Sequence, residues 1–212
     1  MKVIVKNPRK RNAEGELYII SAPSGVGKTT LCQKLIKTVP RLKHSVSYTT
    51  RSPRKEEINN VHYTFISKNK FKAMINRGEF AEWAVVHGNL YGTSAKRLKE
   101  KIKKGYDIIL DIDTQGAMQM RRRVQNASYI FVLPPSMKIL KKRLHGRMSE
   151  SSAEIKNRLK KSKDEIASYK NYDYIVVNDD FKKALRDLEF IVMSKRLMTN
   201  KVSPGWIKRF VE

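Results

Sequence analysis

The stretch Ala22-Pro23-Ser24-Gly25-Val26-Gly27-Lys28-Thr29 determines how the rest of the chain is interpreted. An apolar run, Leu17-Tyr18-Ile19-Ile20, precedes it, and a segment of helical periodicity from Thr30 to Thr38 follows it. This order of strand, glycine loop and helix wraps backbone N–H groups around polyphosphate oxygens at a helix N-terminus. Lys28 adds a positive charge for the β- and γ-phosphates, and the Thr29 hydroxyl can bind Mg²⁺. The stretch therefore predicts a nucleoside triphosphate site.

The motif is incomplete at one position. Gly27-Lys28-Thr29 matches the end of the Gly-four-Gly-Lys-Ser/Thr pattern, whereas Ala22 replaces its first glycine. A match this short also arises by chance, but the flanking strand and helix are the context that the motif requires. An ordinary loop with a surface lysine is the alternative. The predicted ATP-binding residues of the loop are Ala22, Pro23, Ser24, Gly25, Val26, Gly27, Lys28, Thr29 and Thr30.

Composition indicates one packed domain. The chain has 212 residues and an apolar fraction of 40%, which suits one α/β domain with an insertion or two and excludes a disordered chain. The only cysteine, Cys32, allows no internal disulfide, which favours a reducing compartment. No apolar run approaches the ~20 residues that span a bilayer. The basic segment Met1 to Gly15 lacks the apolar region of a secretory signal. We therefore expect a cytoplasmic protein without a membrane partner.

The net charge of +25 favours anionic partners. They could be RNA, DNA or a nucleotide substrate. The basic residues are spread along the chain, often beside apolar helix positions as in Lys96 to Lys104, and such runs are usually solvated faces. An RNA-binding protein stays a hypothesis, but there is no RNP-type aromatic motif and no compact single-face patch. We expect no specific nucleic-acid partner.

Apolar strands alternate with helices along most of the chain, which predicts an α/β fold with a mostly parallel sheet covered on both faces. The expected architecture is a three-layer phosphate-loop core, an inserted small α+β substrate domain whose short strands suggest antiparallel pairing, and a helical lid. The predicted boundaries are a basic tail 1–14, a domain 15–195 and a C-terminal tail 196–212. The core is assigned to 15–45, 105–140 and 165–200, the insert to 46–104 and the lid to 141–164.

Two acidic residues, Asp111 and Asp113, end the strand that follows the insert. In phosphate-loop proteins the acid at such a strand end holds Mg²⁺, directly or through water. We therefore predict Thr29 and Asp111 as the metal site. A polar strand end without function is the alternative, since exposed acids at strand ends are common.

Arg51 and Arg54 flank Pro53 in a rigid loop, and arginine forks match phosphate oxygens. Tyr63 and Tyr91 could each donate a hydroxyl to the same phosphate. The alternatives are a solvated basic loop and two ordinary buried tyrosines.

Glu82 lies in an otherwise apolar strand, Phe80 to Val86. Its carboxylate could accept from N1 and N2 of guanine, a donor pair that adenine lacks, while Ser47 and Thr93 could donate to guanine O6. A pocket built of such partners rejects a base that leaves them unpaired. Taken alone, a strand glutamate is more often simply exposed.

Three arginines, Arg143, Arg147 and Arg158, bracket the predicted lid. Phosphoryl transfer needs positive charge on the moving group, although each arginine alone is more often a surface residue. The four histidines have no metal-ligand spacing, and we assign them no role.

Roughly from Glu14 to Lys195, the chain resembles the guanylate kinase family. The motifs that carry the resemblance occur in order: Ser21 to Thr29, Ser47-Tyr48-Thr49-Thr50-Arg51-Ser52-Pro53-Arg54 with Glu57 and Tyr63, Glu82-Trp83, Gly88-Asn89-Leu90-Tyr91-Gly92-Thr93, Leu110-Asp111-Ile112-Asp113-Thr114-Gln115-Gly116, Leu133-Pro134-Pro135-Ser136 with Arg143, Gly146 and Arg147, and Asn178-Asp179-Asp180. Family members usually have glycines near Glu56 and Asn60, which this chain lacks, so we expect a stiffer loop there.

The resemblance implies Mg²⁺-dependent conversion of ATP and GMP to ADP and GDP by a monomer or homodimer. The implied catalytic residues are Lys28, Arg51, Arg143, Arg147 and Arg158, and Asn178 would lie near the adenine. The implied GMP-binding residues are Ser47, Arg51, Arg54, Glu57, Tyr63, Glu82, Tyr91, Thr93, Asp111 and Asp113. The alternative is a non-catalytic module of the same family that binds phosphorylated partners. Such modules typically lose the phosphate loop, which is intact here.

Overall fold

The computed structural model describes residues 14–86, 88–145 and 152–212. Most of the basic N-terminal tail, His87 and the predicted lid residue Arg147 lie outside the described residues. Among the described helices, none combines the length and the apolar character that crossing a bilayer requires.

A five-stranded sheet forms the centre of the described structure, with strand order β2-β7-β1-β8-β9 and every neighbouring pair parallel. Its strands are β1 (Leu17–Ser21), β2 (Leu42–His44), β7 (Asp107–Asp111), β8 (Ser128–Leu133) and β9 (Tyr174–Val177).

Helices cover both faces of this sheet because its strands are apolar on both sides. Successive residues of β1 enter opposite cores: Tyr18 and Ile20 belong to one buried cluster, and Leu17 and Ile19 to the other. The flanking helices are α1 (Lys28–Thr38), α3 (Ala95–Lys103), α4 (Thr114–Arg123), α5 (Met137–His145), α6 (Ser152–Ala167) and α7 (Phe181–Arg196). The predicted α/β class with a mostly parallel sheet is confirmed.

A second sheet has the strand order β4-β3-β6-β5. Its strands are β3 (Tyr48–Thr49), β4 (Thr64–Phe65), β5 (Phe80–Val86) and β6 (Asn89–Ser94), and α2 (Lys68–Asn76) packs on it. Strands β5 and β6 form an antiparallel hairpin, and β3 also pairs antiparallel with β6. The pair β3–β4 is parallel, so the expectation of antiparallel pairing was wrong there. Because the two strands are parallel, the long connection between them carries the chain back to the end of the sheet at which β3 begins.

The edge strand β2 was not predicted. Strand β2 is three residues long and buries only Leu42, so it carries almost no alternation of apolar and polar residues. Asn60, where the family usually has a glycine nearby, adopts a left-handed backbone with φ 63°. Asparagine tolerates that conformation, which explains how the loop turns without glycine.

The C-terminal residues continue past α7 into the short helix α8 (Pro204–Ile207). Lys201 forms an ion pair with Glu16, and Trp206 packs edge-on against Phe210. The C-terminal tail therefore forms at least one ion pair with the residue that precedes β1.

Candidate active site

The phosphate loop begins where β1 ends and leads directly into α1. Gly25 and Gly27 have φ angles of 90° and 94°, which favour glycine. A Cβ atom on Gly25 would lie 2.7 Å from the Leu144 side chain. Gly27 is the N-cap of α1 and has no side chain to cap that helix. The first N–H groups of α1 are thus left for a ligand.

A cavity of about 270 Å³ lies over this loop. Every loop residue predicted from the sequence, from Ala22 to Thr30, lines it. Its wall is completed by Val86, Asp113 and, from α6, Arg158, Lys161 and Glu165. The cavity therefore joins the loop to the end of a core strand and to the predicted lid.

Lys28, Thr29 and Asp111 meet at the edge of this cavity, because β1 and β7 are parallel neighbours whose carboxyl ends coincide. The Lys28 Nζ atom lies 2.5 Å from Asp111 Oδ1 and donates to the carbonyl of Ile112 across 2.6 Å. The Thr29 hydroxyl donates to Asp111 Oδ2 across 3.2 Å. A hydroxyl and a carboxylate fit Mg²⁺, which takes few protein ligands beside phosphate oxygens and water. Among the described residues, no group of three or more His, Cys, Asp or Glu could hold a metal.

The side chains of Asn178 and Arg143 donate hydrogen bonds to the backbone of the phosphate loop. The Asn178 amide donates to the carbonyl of Val26 across 2.7 Å and is buried. The Arg143 guanidinium donates to the carbonyls of Asn178 and Val26 at 3.1 and 3.4 Å. Both side chains therefore contact the loop backbone, which supports its shape.

Helix α6, which begins within the predicted lid, lies against the loop. Arg158 donates to the Ser24 hydroxyl, and Lys161 Nζ lies 3.9 Å from Glu165 Oε1. Burial raises the pKa of Glu165. The sequence interpretation missed Lys161 and Glu165, although their spacing of three and seven residues from Arg158 places all three on one helix face and could have indicated them.

Arg51, Glu57, Tyr63 and Tyr91 form a cluster of charged and hydroxyl-bearing side chains beside the second sheet. Arg51 pairs with Glu57 at 2.8 Å, and its Nε donates to the Tyr91 hydroxyl across 3.2 Å. The rings of Tyr63 and Tyr91 meet edge-on with centroids 5.9 Å apart. The Arg51 hydrogen bond lowers the pKa of Glu57, so the pair stays charged. Glu57 also accepts the backbone N–H of Arg54, whose side chain is exposed.

The charge of Asp111 acts on this cluster. Burial, and then the charge of Asp111, raise the pKa of Tyr63. Asp111 therefore lies within electrostatic range of the Tyr63 hydroxyl, although its direct contacts are with Lys28 and Thr29.

Glu82 is 3% exposed in strand β5. Its Oε1 accepts the Thr93 hydroxyl across 2.6 Å, and the Thr93 and Ser47 hydroxyl oxygens lie 3.3 Å apart. Burial raises the pKa of Glu82 to about 7, and the charge of Asp113 adds to the shift. Asp113 itself caps α4 by accepting the N–H of Gly116 across 2.8 Å. The alternative of an exposed strand glutamate is thereby excluded, and Ser47, Glu82, Thr93 and Asp113 form one polar group.

Three comparisons with known proteins agree. A family model described as guanylate kinase matches residues 14–195. A protein named guanylate kinase from Geobacter metallireducens is 51% identical over 197 residues, covering 93% of this chain and 97% of that protein. One of the same name from Escherichia coli is 46% identical over 191 residues, covering 89% of this chain and 92% of its own. A crystal structure of guanylate kinase from Anaplasma phagocytophilum is 31% identical with a TM-score of 0.74, covering 90% of this chain and 91% of that one.

Proposed function

The chain belongs to the guanylate kinase family, and from this premise we propose that it transfers the γ-phosphoryl group of ATP to GMP, giving ADP and GDP. The observation that carries the proposal is the position of Asp113. It lines the cavity over the phosphate loop, and its charge also raises the pKa of the buried Glu82. Asp113 thus lines the cavity over the phosphate loop and also lies within electrostatic range of Glu82. This arrangement suits an enzyme that brings two nucleotides together.

We propose that Glu82, Thr93 and Ser47 read guanine. The Glu82 carboxylate would accept from N1–H and the 2-amino group, while the hydroxyls of Thr93 and Ser47 would donate to O6. Adenine has no 2-amino group and presents an acceptor at N1, so it would leave a buried carboxylate unpaired. Selection of this kind reaches about 10⁴-fold when a site is built to bond polar groups that the rival lacks.

The acceptor phosphate would be held by Arg51, Arg54, Tyr63 and Tyr91. Arg51 is oriented by its contacts to Glu57 and Tyr91, so its guanidinium is already in place when the nucleotide arrives. A phosphate oxygen is anionic at neutral pH, and the attack on the γ-phosphorus requires no strong general base. The protein contributes positioning and charge neutralisation.

The donor phosphates would occupy the cavity over the loop, next to Lys28. Mg²⁺, when bound, would neutralise phosphate charge, and Thr29 and Asp111 are the residues that would hold it. Arg158 already contacts the loop from α6, and we propose that it closes on the transferred group together with Arg147. Closure of such a lid excludes water and suppresses ATP hydrolysis.

The division into a core, an insert at 46–104 and a lid at 141–164 is part of this proposal. It is supported by the separate second sheet, all of whose strands fall within the insert range. We also propose a cytoplasmic location, because the single cysteine, Cys32, is buried and has no partner for a disulfide within the sequence.

Replacement of Lys28 tests the proposal. Lys28→Ala should lower the rate of GDP formation from ATP and GMP by about 10²-fold or more, since it removes a charge that acts on the transferred group. Lys34→Ala, an exposed lysine on the same helix α1, is the matched control and should retain the wild-type rate. Near-normal GDP formation by folded Lys28→Ala would contradict the proposal. A wild-type protein that binds GMP but forms no GDP would identify the non-catalytic module instead.

A further inference from the structure

Helix α4 contacts β5, the strand that carries Glu82. The contact is at the outer edge of the second sheet, which no other described strand covers. Strand β5 is the last strand of the second sheet, so one side of its backbone has no strand partner within the described part of the chain. Gln119 of α4 occupies that side. Its Oε1 accepts the N–H of Trp83 across 3.2 Å, and its Nε2 donates to the Trp83 carbonyl across 2.7 Å. The amide thus pairs with both polar groups of one residue, as a neighbouring strand would.

Two further residues of α4 act along the same strand. Arg123 Nη1 donates to the carbonyl of Ala81 across 2.9 Å. A Cβ atom on Gly116 would lie 2.8 Å from Glu82 Oε2, so the carboxylate lies directly against the helix. Positions 116, 119 and 123 are three and seven residues apart and therefore share one face of the helix. That face contacts β5 before, at and after Glu82.

Strand β5 is irregular where α4 contacts it. The register of β5 against β6 shifts between Phe80 and Glu82, which is the signature of a bulge. A bulge redirects a side chain and weakens the local ladder, and it is common beside active sites. A bulged edge strand needs other contacts to stay in one conformation. The contacts made by Gln119 and Arg123 flank this bulge and supply them.

We propose that Gln119 is a positioning residue for base recognition, which holds the bulged strand β5 so that Glu82 presents both carboxylate oxygens to the base. The proposal rests on the proposed function, because it assigns a role within guanine binding. The Thr93 hydroxyl bonds to Oε1 of Glu82. The direction of Oε2 depends on where the backbone of β5 lies relative to Gly116. A displacement of about 1 Å at such a site is enough to reduce activity substantially.

No pattern in the sequence indicates this role, because a glutamine in a helix is a common surface residue. Only the packing of α4 against β5 reveals it. The same packing connects the guanine-reading strand to the helix that Asp113 caps, and so to the core side of the active site.

The test is Gln119→Met, which retains side-chain length and helix propensity but removes the amide. We expect the KM for GMP to rise about tenfold, with kcat changed less than about twofold and the KM for ATP unchanged. The preference for GMP over inosine monophosphate, which lacks the 2-amino group, should fall about fivefold, because the second acceptor oxygen is misplaced. Gln125→Met, an exposed glutamine beyond the end of α4, is the matched control and should behave as wild type.

Gly116→Ala is the second variant, and it reaches Glu82 by a different route. Alanine favours helix formation over glycine, so the unfolding temperature should be maintained, while the new Cβ displaces Glu82 Oε2. The KM for GMP should rise as it does in Gln119→Met. A merely structural role would instead lower the unfolding temperature and affect both substrates.

The outcomes separate the two proposals. Wild-type KM values and base preference in Gln119→Met would overturn the positioning role and leave the proposed function intact. An equal rise of the KM values for ATP and GMP would also overturn it. Calorimetry that detects no GMP binding by the wild-type protein would overturn both.

Discussion

The Thr93 hydroxyl donates to Glu82 Oε1 across 2.6 Å, and this hydrogen bond fixes a carboxylate that is 3% exposed. The hydrogen bond favours the ionised form, but burial opposes it more strongly and raises the pKa of Glu82 to about 7. The protonation of Glu82, the proposed base-reading group, therefore changes near neutral pH. Both the affinity for GMP and the stability of the fold should depend on it.

The affinity for GMP should fall as the pH falls below about 7, because only ionised Glu82 can accept from both guanine donors. Well below the pKa, the ionised fraction decreases about tenfold per pH unit, and the KM for GMP should rise accordingly. Steady-state kinetics between about pH 6 and pH 8 would measure this. Glu82→Gln is the control, because its KM, though higher, should lack the inflection. A KM for GMP in the wild type that varies no more than that of Glu82→Gln would contradict the prediction.

The same substitution should stabilise the fold without nucleotide at high pH. The pKa of Glu82 is raised from 4.5 to about 7 on folding, so the unfolded chain loses its proton at lower pH than the folded one. The ionised carboxylate therefore lowers stability progressively between these two values and fully above them. Glu82→Gln should raise the free energy of unfolding by about 1–3 kcal/mol near pH 8 and by little near pH 4. Urea unfolding at both pH values would measure it, and a difference that does not depend on pH would refute it.

Asp111→Asn should impair catalysis more than folding. The carboxylate pairs with Lys28 and accepts from Thr29, and an amide removes its charge while retaining its shape. We expect kcat to fall about 10²-fold and the Mg²⁺ concentration for half-maximal rate to rise. Titration of Mg²⁺ at saturating ATP and GMP would measure both. Asp164→Asn, an exposed acid on α6, should leave both unchanged. An unaltered Mg²⁺ requirement in Asp111→Asn would exclude Asp111 from the metal site.

Two ion pairs should differ in their contribution to stability. Arg196 and Asp107 pair at 2.7 Å with side-chain exposures of 11% and 3%, whereas Arg121 and Asp173 pair at 2.8 Å with exposures of 40% and 34%. Arg196→Ala leaves a buried carboxylate without its charge partner and should cost about 3–5 kcal/mol. Arg121→Ala should cost about 0–1 kcal/mol. Denaturant unfolding of the two variants would compare them, and equal losses would show that burial does not govern these pairs.

The core could be predicted from the sequence because its signals are local. Strands such as Leu17–Ser21 are mostly apolar and fully buried, and the glycine loop identifies the helix after it. The meeting of Thr29 with Asp111 also followed, since the carboxyl ends of parallel strands lie at one edge of a sheet. The shortest strands and their pairing were harder to predict. Strand β2 is too short to show a period, and the parallel pairing of β3 with β4 depends on the path of the loop between them.

The residue types of the candidate site could be predicted from the sequence. The burial and the contacts of those residues could not. The chemistry of guanine indicated Glu82, yet its burial and its contact with Gly116 depend on helix α4, which lies more than thirty residues away. The same holds for Gln119, whose partners on Trp83 are 36 positions distant in sequence. Contacts between residues so far apart leave no periodic pattern, so a single sequence cannot reveal them.

The most direct measurement is ADP release from ATP and Mg²⁺ in a coupled assay, run in parallel with GMP, AMP, UMP and CMP as the acceptor. A site built around Glu82, Thr93 and Ser47 should release ADP rapidly with GMP and at background rate with the other three, because only guanine offers the donor pair that Glu82 requires. Release that is faster with AMP than with GMP would contradict the assignment of Glu82 and, with it, the proposed reaction.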